Sequence, residues 1–291
     1  MKPYQVTQSD TVLQALRLAF PDSSSNTLRS WIQEERILVD GSPVKQANAP
    51  VEAGQLLVLT PKAAARMPKG LKELYRDEYI VVVDKPVGLL TVATDNGTQP
   101  SVHAILKKHL KPSRIYPVHR LDRGTSGALV FALTEESRDA LKELFMERNI
   151  DREYVAIVEG HVEEDEGTWE SNLYQDRNFK VHSTSDPRQS KLAITNYKVE
   201  ERGRAATRLA LKLETGRKNQ IRVHCADAGH PVVGDRKYEA NGNPIARLCL
   251  HALRLGFTHP ITGKTFSFTS PVPPRFEDAL RHPTRGGFGR A

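Results

Sequence analysis

Residues 119–133 read HRLDRGTSGALVFAL, and they divide into two stretches with different physics. The first, His119-Arg120-Leu121-Asp122-Arg123, sets one carboxylate among three potential cations and ends in the turn cluster Gly124-Thr125-Ser126-Gly127. The second, Ala128 to Leu133, is a short unbroken apolar run, which after a glycine predicts a strand buried on both faces. Asp122 is therefore expected on a rigid loop at the mouth of a core strand. Its flanking arginines favour the ionised form, which would leave it available at neutral pH as a nucleophile or base. In an arbitrary protein an Asp between two arginines is more often a surface ion pair, and local chemistry does not separate the two readings.

Working outward, Tyr79 to Val83 (YIVVV) is β-branched and continuous, hence a buried strand, ended by Asp84-Lys85-Pro86 because proline removes a ladder donor. Ser101 to Leu110 reads as a helix. Glu135 to Arg148 carries apolar residues at Ala140, Leu141, Leu144 and Phe145, an amphipathic helix that would pack behind the sheet. Glu153 to Glu159 (EYVAIVE) is a further strand beginning with Tyr154; by itself that tyrosine reads as a core residue with its hydroxyl at the surface. Acidic residues from Glu159 to Glu170 suggest an exposed hairpin. Lys191 to Leu213 reads as two strands meeting across Gly203, and Leu248 to Phe257 as a closing strand.

The first 60 residues look like a separate module. Val12, Leu13, Leu16, Ala19 and Phe20 form a helical stripe with Asp10 placed as N-cap, and Asn26 or Thr27 would cap a second helix through Ile32. Ile37–Val39 and Leu56–Leu59 read as strands, the first followed by an Asp40-Gly41 turn. Residues 61–70 read as a linker, 71–281 as the large domain, and the basic, Gly-rich stretch 282–291 as a disordered tail.

With 291 residues, 38% hydrophobic and 26% charged, the composition is that of an ordinary globular protein. No apolar run approaches the ~20 residues that span a bilayer. The N-terminus lacks a hydrophobic signal core, so a cytoplasmic location without membrane contact is expected. Cys225 and Cys249 are too few and too far apart for a disulfide framework, and the ten histidines show no ligand spacing, so no metal is expected. Lys and Arg number 42 against 35 Asp and Glu. The excess is concentrated between Arg202 and Arg254, where eleven basic residues face four acidic ones, the footprint of a surface that meets phosphates or simply of a solvated basic face.

HRLDRGTSGALVFA resembles the signature loop of the RluA/RluD-type pseudouridine synthases, and DEYIVVVDKPVGLLTV resembles that family's first motif. Thr215 to His224 (TGRKNQIRVH) resembles its GRxxQIRxH element, with Asn219 where many members carry His; no role follows for that position. The family's Lys-x-Tyr pattern appears as Arg152-x-Tyr154. Helix, helix and hairpin in residues 1–60 resemble the alpha-L RNA-binding module, which would make Arg29, Arg36 and Lys45 its RNA-facing cations.

The resemblance implies an α+β fold: a catalytic domain built on a mixed, largely antiparallel sheet, plus the small N-terminal module. It implies an RNA pseudouridine synthase acting without cofactors, most readily on large-subunit ribosomal RNA. Transfer RNA, a catalytically silent RNA-binding or ribosome-assembly protein, and an RNA N-glycosylase are the alternatives. Asp122 would be the essential carboxylate, Arg222 its charge partner, and Tyr154 would stack on the base and handle the C5 proton. Arg120 would fill the space that the extruded base leaves. Arg123, Arg217, Lys218, Gln220 and Ile221 would line or flank the substrate, and His119 would meet phosphate or brace the loop. RNA is the expected partner, and a monomer the expected state.

Overall fold

The computed structural model describes residues 3–60, 70–93, 99–110 and 114–283. The chain falls into two compact units, residues 1–66 and 67–291. Apart from Gly70, His282 and Pro283, the expected linker and tail lie outside the described residues.

In the first unit, α1 (Val12–Ala19) buries Val12, Ala15 and Leu16, and α2 (Ser25–Gln33) buries Leu28 and Ile32, each on one side of its helix. Strand β1 (Ile37–Val39) pairs antiparallel with β2 (Leu56–Leu59), with Ile37 opposite Leu59. Asp40 and Gly41 both take positive φ, 48° and 83°, as the tight turn after β1 requires. The expected caps are corrected. Thr11, not Asp10, is the α1 N-cap, and Asp10 Oδ1 accepts the Thr11 N–H instead. The α2 cap is Ser24, two residues before Asn26, its hydroxyl accepting from Thr27 N–H at 3.2 Å.

The second unit is built on one large sheet. Its main strands are β3 (Lys72–Arg76), β4 (Ile80–Lys85), β5 (Ser126–Ala132), β6 (Asp151–Glu159), β7 (Glu166–Gln175), β8 (Val181–Thr184), β9 (Lys191–Arg202), β10 (Ala206–Leu213), β11 (Leu250–Thr258) and β12 (Thr265–Thr269), and the two-residue strand Tyr116–Pro117 pairs with β5. Their spatial order is β8-β7-β9-β10-β6-β11-β5-β4-β3, with β12 paired to β11. Among these named strands β5 and β11 run parallel, and the other described pairs are antiparallel, so the sheet is mixed and largely antiparallel. Helices α3 (Val102–Leu110), α4 (Glu135–Met146), α5 (Gln220–Asp227) and α6 (Phe276–Arg281) complete the unit.

Every residue of β5 is buried. Alternation along the strand sends Leu129 and Phe131 into one apolar cluster and Ala128, Val130 and Ala132 into another, and β4 splits likewise, Val81 and Val83 against Ile80 and Val82. Burial of each of these larger side chains is worth roughly 1.5–3 kcal/mol. Helix α4 starts where Thr134 accepts from Ser137 N–H at 3.1 Å and the Ser137 hydroxyl returns the contact, a capping box in which Ser takes the usual Glu position. The parallel crossing of β5 with β11 explains Gly127. At φ 120°, a Cβ there would lie 2.1 Å from the backbone oxygen of Ala252.

The acidic stretch is exposed as expected at Glu163, Glu164, Asp165, Glu166 and Glu170, the last two on β7, and is corrected at its first residue: Glu159 is buried at the end of β6, where its carboxylate accepts from Asn241 N, Asn241 Nδ2 and Gly242 N at 2.7–2.9 Å.

Candidate active site

The loop between residues 118 and 125 is clamped before it reaches β5. Thr91, buried beyond β4, donates from its hydroxyl to Leu121 O at 2.8 Å and accepts from Leu121 N–H at 3.1 Å. Gly88 N–H donates to Arg123 O, and Arg123 Nε donates back to Gly88 O. The first motif therefore braces the loop by a two-point grip on each side of Asp122. Behind it, Lys85 is fully buried with Nζ donating to Leu89 O at 2.7 Å and Pro86 O at 3.2 Å. Burial lowers its pKa to about 8, against the opposing pull of Asp122 and with some help from Arg247.

His119 is turned into the protein. Its Nε2 accepts the Val130 N–H at 3.1 Å and its ring stacks on Phe145 with centroids 4.6 Å apart. Burial, with the Arg152 charge nearby, pushes its pKa down to about 3. A neutral acceptor bonded to a core strand is a brace for the loop and offers no cation to a phosphate. His224 is held similarly, between Ser171 and Thr195, and burial lowers it to about 4 against the pull of Asp227.

Both histidines bind fewer protons folded than unfolded at mildly acid pH. Stability from this source is complete above the unfolded value near 6.5 and is lost as pH falls toward 4 and then 3, by at most about 1.4 kcal/mol per pH unit for each ring. Thermal unfolding from pH 8 down to pH 4.5 is expected to show Tm falling progressively below pH 6.5; a flat profile through that window would contradict the neutral assignment.

The charge partner of Asp122 comes from α5. Arg222 Nη1 donates to Asp122 Oδ2 at 3.2 Å, and Asn219 Nδ2 donates to the same oxygen at 2.5 Å. The neighbouring arginines do not perform the pairing expected of them: Arg120 is exposed, and the Nε of exposed Arg123 holds Gly88. Arg222 is itself gripped from the other side. Its Nε and Nη2 donate to the two carboxylate oxygens of Asp235 at 2.6 and 2.7 Å, and the Asp235 side chain is only 1% exposed. Burial works against the guanidinium charge, but Asp235 first and Asp122 second outweigh it and raise the pKa. The guanidinium also lies over the Tyr238 ring, 5.0 Å from its centroid. Asp235 thus fixes the fork, and the fork's remaining arm reaches Asp122.

Asn219 precedes α5 in the left-handed region, φ 54° and ψ 16°, a conformation Asn tolerates better than most residues. Its Oδ1 lies 3.4 Å from the Tyr238 hydroxyl. Neither Asn219 nor Asp235 carries a role in the sequence reading. Asp235 stands three residues before Tyr238 in what reads as loop punctuation, and no local signal marks it as a partner for Arg222.

Asp122 opens into a cavity of about 150 Å³, lined also by Arg120, Leu121, Tyr154, Leu213, Ile221 and Leu250 and by the segment from Gly216 to Arg222. That is roughly five waters' worth of space, the scale of one heterocyclic base. Tyr154, on β6, is 8% exposed, and burial raises its hydroxyl pKa, with Arg152 opposing and Asp122 adding. Arg217 and Lys218 are exposed at the rim. Gln220 is a different case. Its amide is consumed inside the protein, accepting from Thr215 and Arg217 N–H and donating to Ile194 O and Thr195. It shapes the rim and is 2% exposed, so the contact with substrate expected of it is not what this geometry offers.

In the N-terminal unit Arg29 and Lys45 are exposed, whereas Arg36 donates to Thr60 O at 3.2 Å and lies 5.6 Å from the Trp31 ring centroid. Among the described residues no group of three or more His, Cys, Asp or Glu side chains is placed to ligate a metal ion.

A half-buried carboxylate–guanidinium pair at the mouth of a base-sized cavity, on this mixed sheet, matches a known class. The sequence profile of the RNA pseudouridylate synthases covers residues 79–227, and the chain belongs to that family: it is an RNA pseudouridine synthase, an isomerase. Within the family it falls with the RluA/RluD-type enzymes. It is 33% identical over 283 residues to ribosomal large subunit pseudouridine synthase D of Shigella flexneri, covering 89% of this chain and 86% of that one. The protein of the same name from Neisseria meningitidis serogroup A is 34% identical over 285 residues, covering 91% and 75%. Among solved structures, human RNA pseudouridylate synthase domain containing 1 superposes with a TM-score of 0.59 at 26% identity, over 77% of this chain and 90% of that one.

Proposed function

We propose that this protein isomerises uridine to pseudouridine in large-subunit ribosomal RNA, with Asp122 as the catalytic carboxylate. The observation that carries the reading is the three-part pairing Asp122–Arg222–Asp235 at a cavity with Tyr154 for a wall. The ribosomal target is supported by the names of the relatives.

Isomerisation detaches uracil at N1, turns it, and rejoins it through C5. A uridine in folded RNA must first leave its stack, at a cost of a few kcal/mol. Arg120 at the exposed rim is placed to occupy the space vacated in the RNA. Arg222 and Asn219 both hold Oδ2 of Asp122, which leaves Oδ1 to meet the sugar–base junction. The anion is thereby oriented before the substrate arrives, so little reorganisation is needed during the reaction. Tyr154 provides the face on which the freed base stacks. Its hydroxyl stays protonated at neutral pH, so it relays the C5 proton rather than waiting as a phenolate. Residues 1–60 act as an alpha-L-type RNA-binding module through Arg29 and Lys45.

Carbodiimide mapping of pseudouridine across total RNA, from cells with and without the gene, tests the assignment. Stops confined to large-subunit rRNA and lost with the gene are expected; stops lost only from tRNA, or none lost, would overturn the target. Asn219→Gly relieves the left-handed backbone while removing a charge-assisted hydrogen bond worth about 1.5–3 kcal/mol. It is expected to slow single-turnover modification roughly 10- to 100-fold with little change in Tm. A rate equal to wild type would show that Arg222 alone orients Asp122.

A further inference from the structure

The β7–β8 hairpin ends in Asp176-Arg177-Asn178-Phe179-Lys180, and its turn is organised by Asp176. Asp176 Oδ1 accepts from Asn178 N–H and Lys180 N–H at 2.9 and 2.8 Å, and Oδ2 lies 3.0 Å from His182 Nε2. Phe179 sits in this turn at φ 61°, in the left-handed region where Gly or Asn is the stable choice and a bulky residue is strained. Its side chain finds no core in return, since the residue is 69% exposed. A large aromatic this exposed at such a position buries little apolar area to offset the backbone strain.

Its surroundings are cationic. Lys218 Nζ lies 5.7 Å from the Phe179 ring centroid, and Lys237 Nζ donates to the Phe179 carbonyl at 2.9 Å. Arg177 is exposed beside it. Lys218 and Arg217 line the Asp122 cavity on one side and, on the other, a second cavity of about 350 Å³ with Tyr174 and Lys191. A track of cations and exposed rings therefore leads from the catalytic cavity out along the hairpin. The hairpin is also tied to the carboxylate. The Tyr238 hydroxyl lies 3.1 Å from Val181 O on β8 and 3.4 Å from Asn219 Oδ1, and Asn219 holds Asp122.

We propose that Phe179 is a stacking post for an unpaired nucleobase of the RNA strand flanking the extruded uridine, with Lys218, Lys237 and Arg177 meeting the adjoining phosphates. The occupant follows from the chemistry. Alternating cations and an exposed ring suit a polyanion that carries flat π-faces, and stacking of this kind tolerates any base. The inference deepens the reading of the chain as an RNA-modifying enzyme and rests on it for the flanking uridine, but stacking on single-stranded RNA is measurable without knowing the target.

The test uses the full-length protein with Phe179→Gly and Phe179→Trp, a short single-stranded oligouridylate as probe, and ribosomal RNA as substrate. Phe179→Gly removes the ring and relieves the backbone, so Tm is expected to hold or rise while oligouridylate affinity falls roughly 5- to 150-fold. On ribosomal RNA the loss falls on KM and spares kcat at saturation. Phe179→Trp restores affinity. Unchanged oligouridylate affinity in Phe179→Gly overturns the proposal, as does a joint fall of Tm and affinity that Phe179→Trp fails to reverse, which would mark a structural role. If the wild type leaves ribosomal RNA unmodified but Phe179→Gly still weakens oligouridylate binding, the target assignment falls and the stacking post stands.

Discussion

Asp122→Asn is expected to abolish turnover while leaving the protein folded and bound to RNA. Asparagine is isosteric, so the loop gripped by Thr91 and Gly88 keeps its course, and one acceptor remains for Arg222 and Asn219. What disappears is the negative charge and with it the nucleophile or base. Losing such a group costs on the order of 10⁴-fold or more in rate. The stability change is the weakening of one charge-assisted interaction at a side chain still 23% exposed, about 1–2 kcal/mol. Single-turnover modification, measured with enzyme in excess, separates these effects from product release. Modification at the wild-type rate would remove Asp122 from the chemistry.

Arg222→Ala is expected to damage stability and turnover together, for two separable reasons. Asp235 is buried and both its oxygens receive Arg222, so truncation strands an uncompensated carboxylate. Breaking a buried pair from one side costs about 3–5 kcal/mol, a Tm decrease on the order of 10 °C for a domain of this size. Turnover falls because Asp122 loses its orienting charge. The double variant Arg222→Met with Asp235→Leu distinguishes the two, since an apolar replacement of comparable volume recovers much of the stability and none of the rate. Arg222→Lys keeps the charge but cannot fork to two carboxylates, and falls between. An Arg222→Ala protein that melts and reacts like wild type would dissolve the three-part pairing.

These expectations depend on features of unequal legibility. β4, β5 and β6 are recognisable from continuous β-branched and apolar runs, because a strand buried on both faces has no polar side to show. Helix α4 is recognisable from its stripe. The outer strands β7 and β8, at one end of the sheet, are not: β7 is flanked by β8 and β9, but it alternates between exposed and half-buried for most of its length and carries Glu, Thr, Ser and Asn, which read as an acidic hairpin. The start of α1 is off by one residue because Asp10 and Thr11 are both competent caps, and only the chain's entry angle chooses.

The site divides along a similar line. Asp122, Tyr154 and Arg222 are legible because they lie in motifs, and the structure brings all three to one cavity. Gln220 and His119 lie in motifs as well, yet the Gln220 amide and the His119 Nε2 are used inside the fold. Motif membership does not tell a residue that touches substrate from one that holds the residue beside it.

The core strands, the helix faces, the two-unit division and the candidate carboxylate at Asp122 are all readable from residue order, because each is written in local periodicity or in a short run of neighbours. Which charges that carboxylate meets is set by folding alone. Arg123 holds Gly88 and Arg120 stays exposed, while Arg222, a hundred positions on, arrives through the packing of α5, and Asp235 locks it there. Electrostatic partnership depends on distance through space, and the chain's order carries no measure of that until the sheet closes.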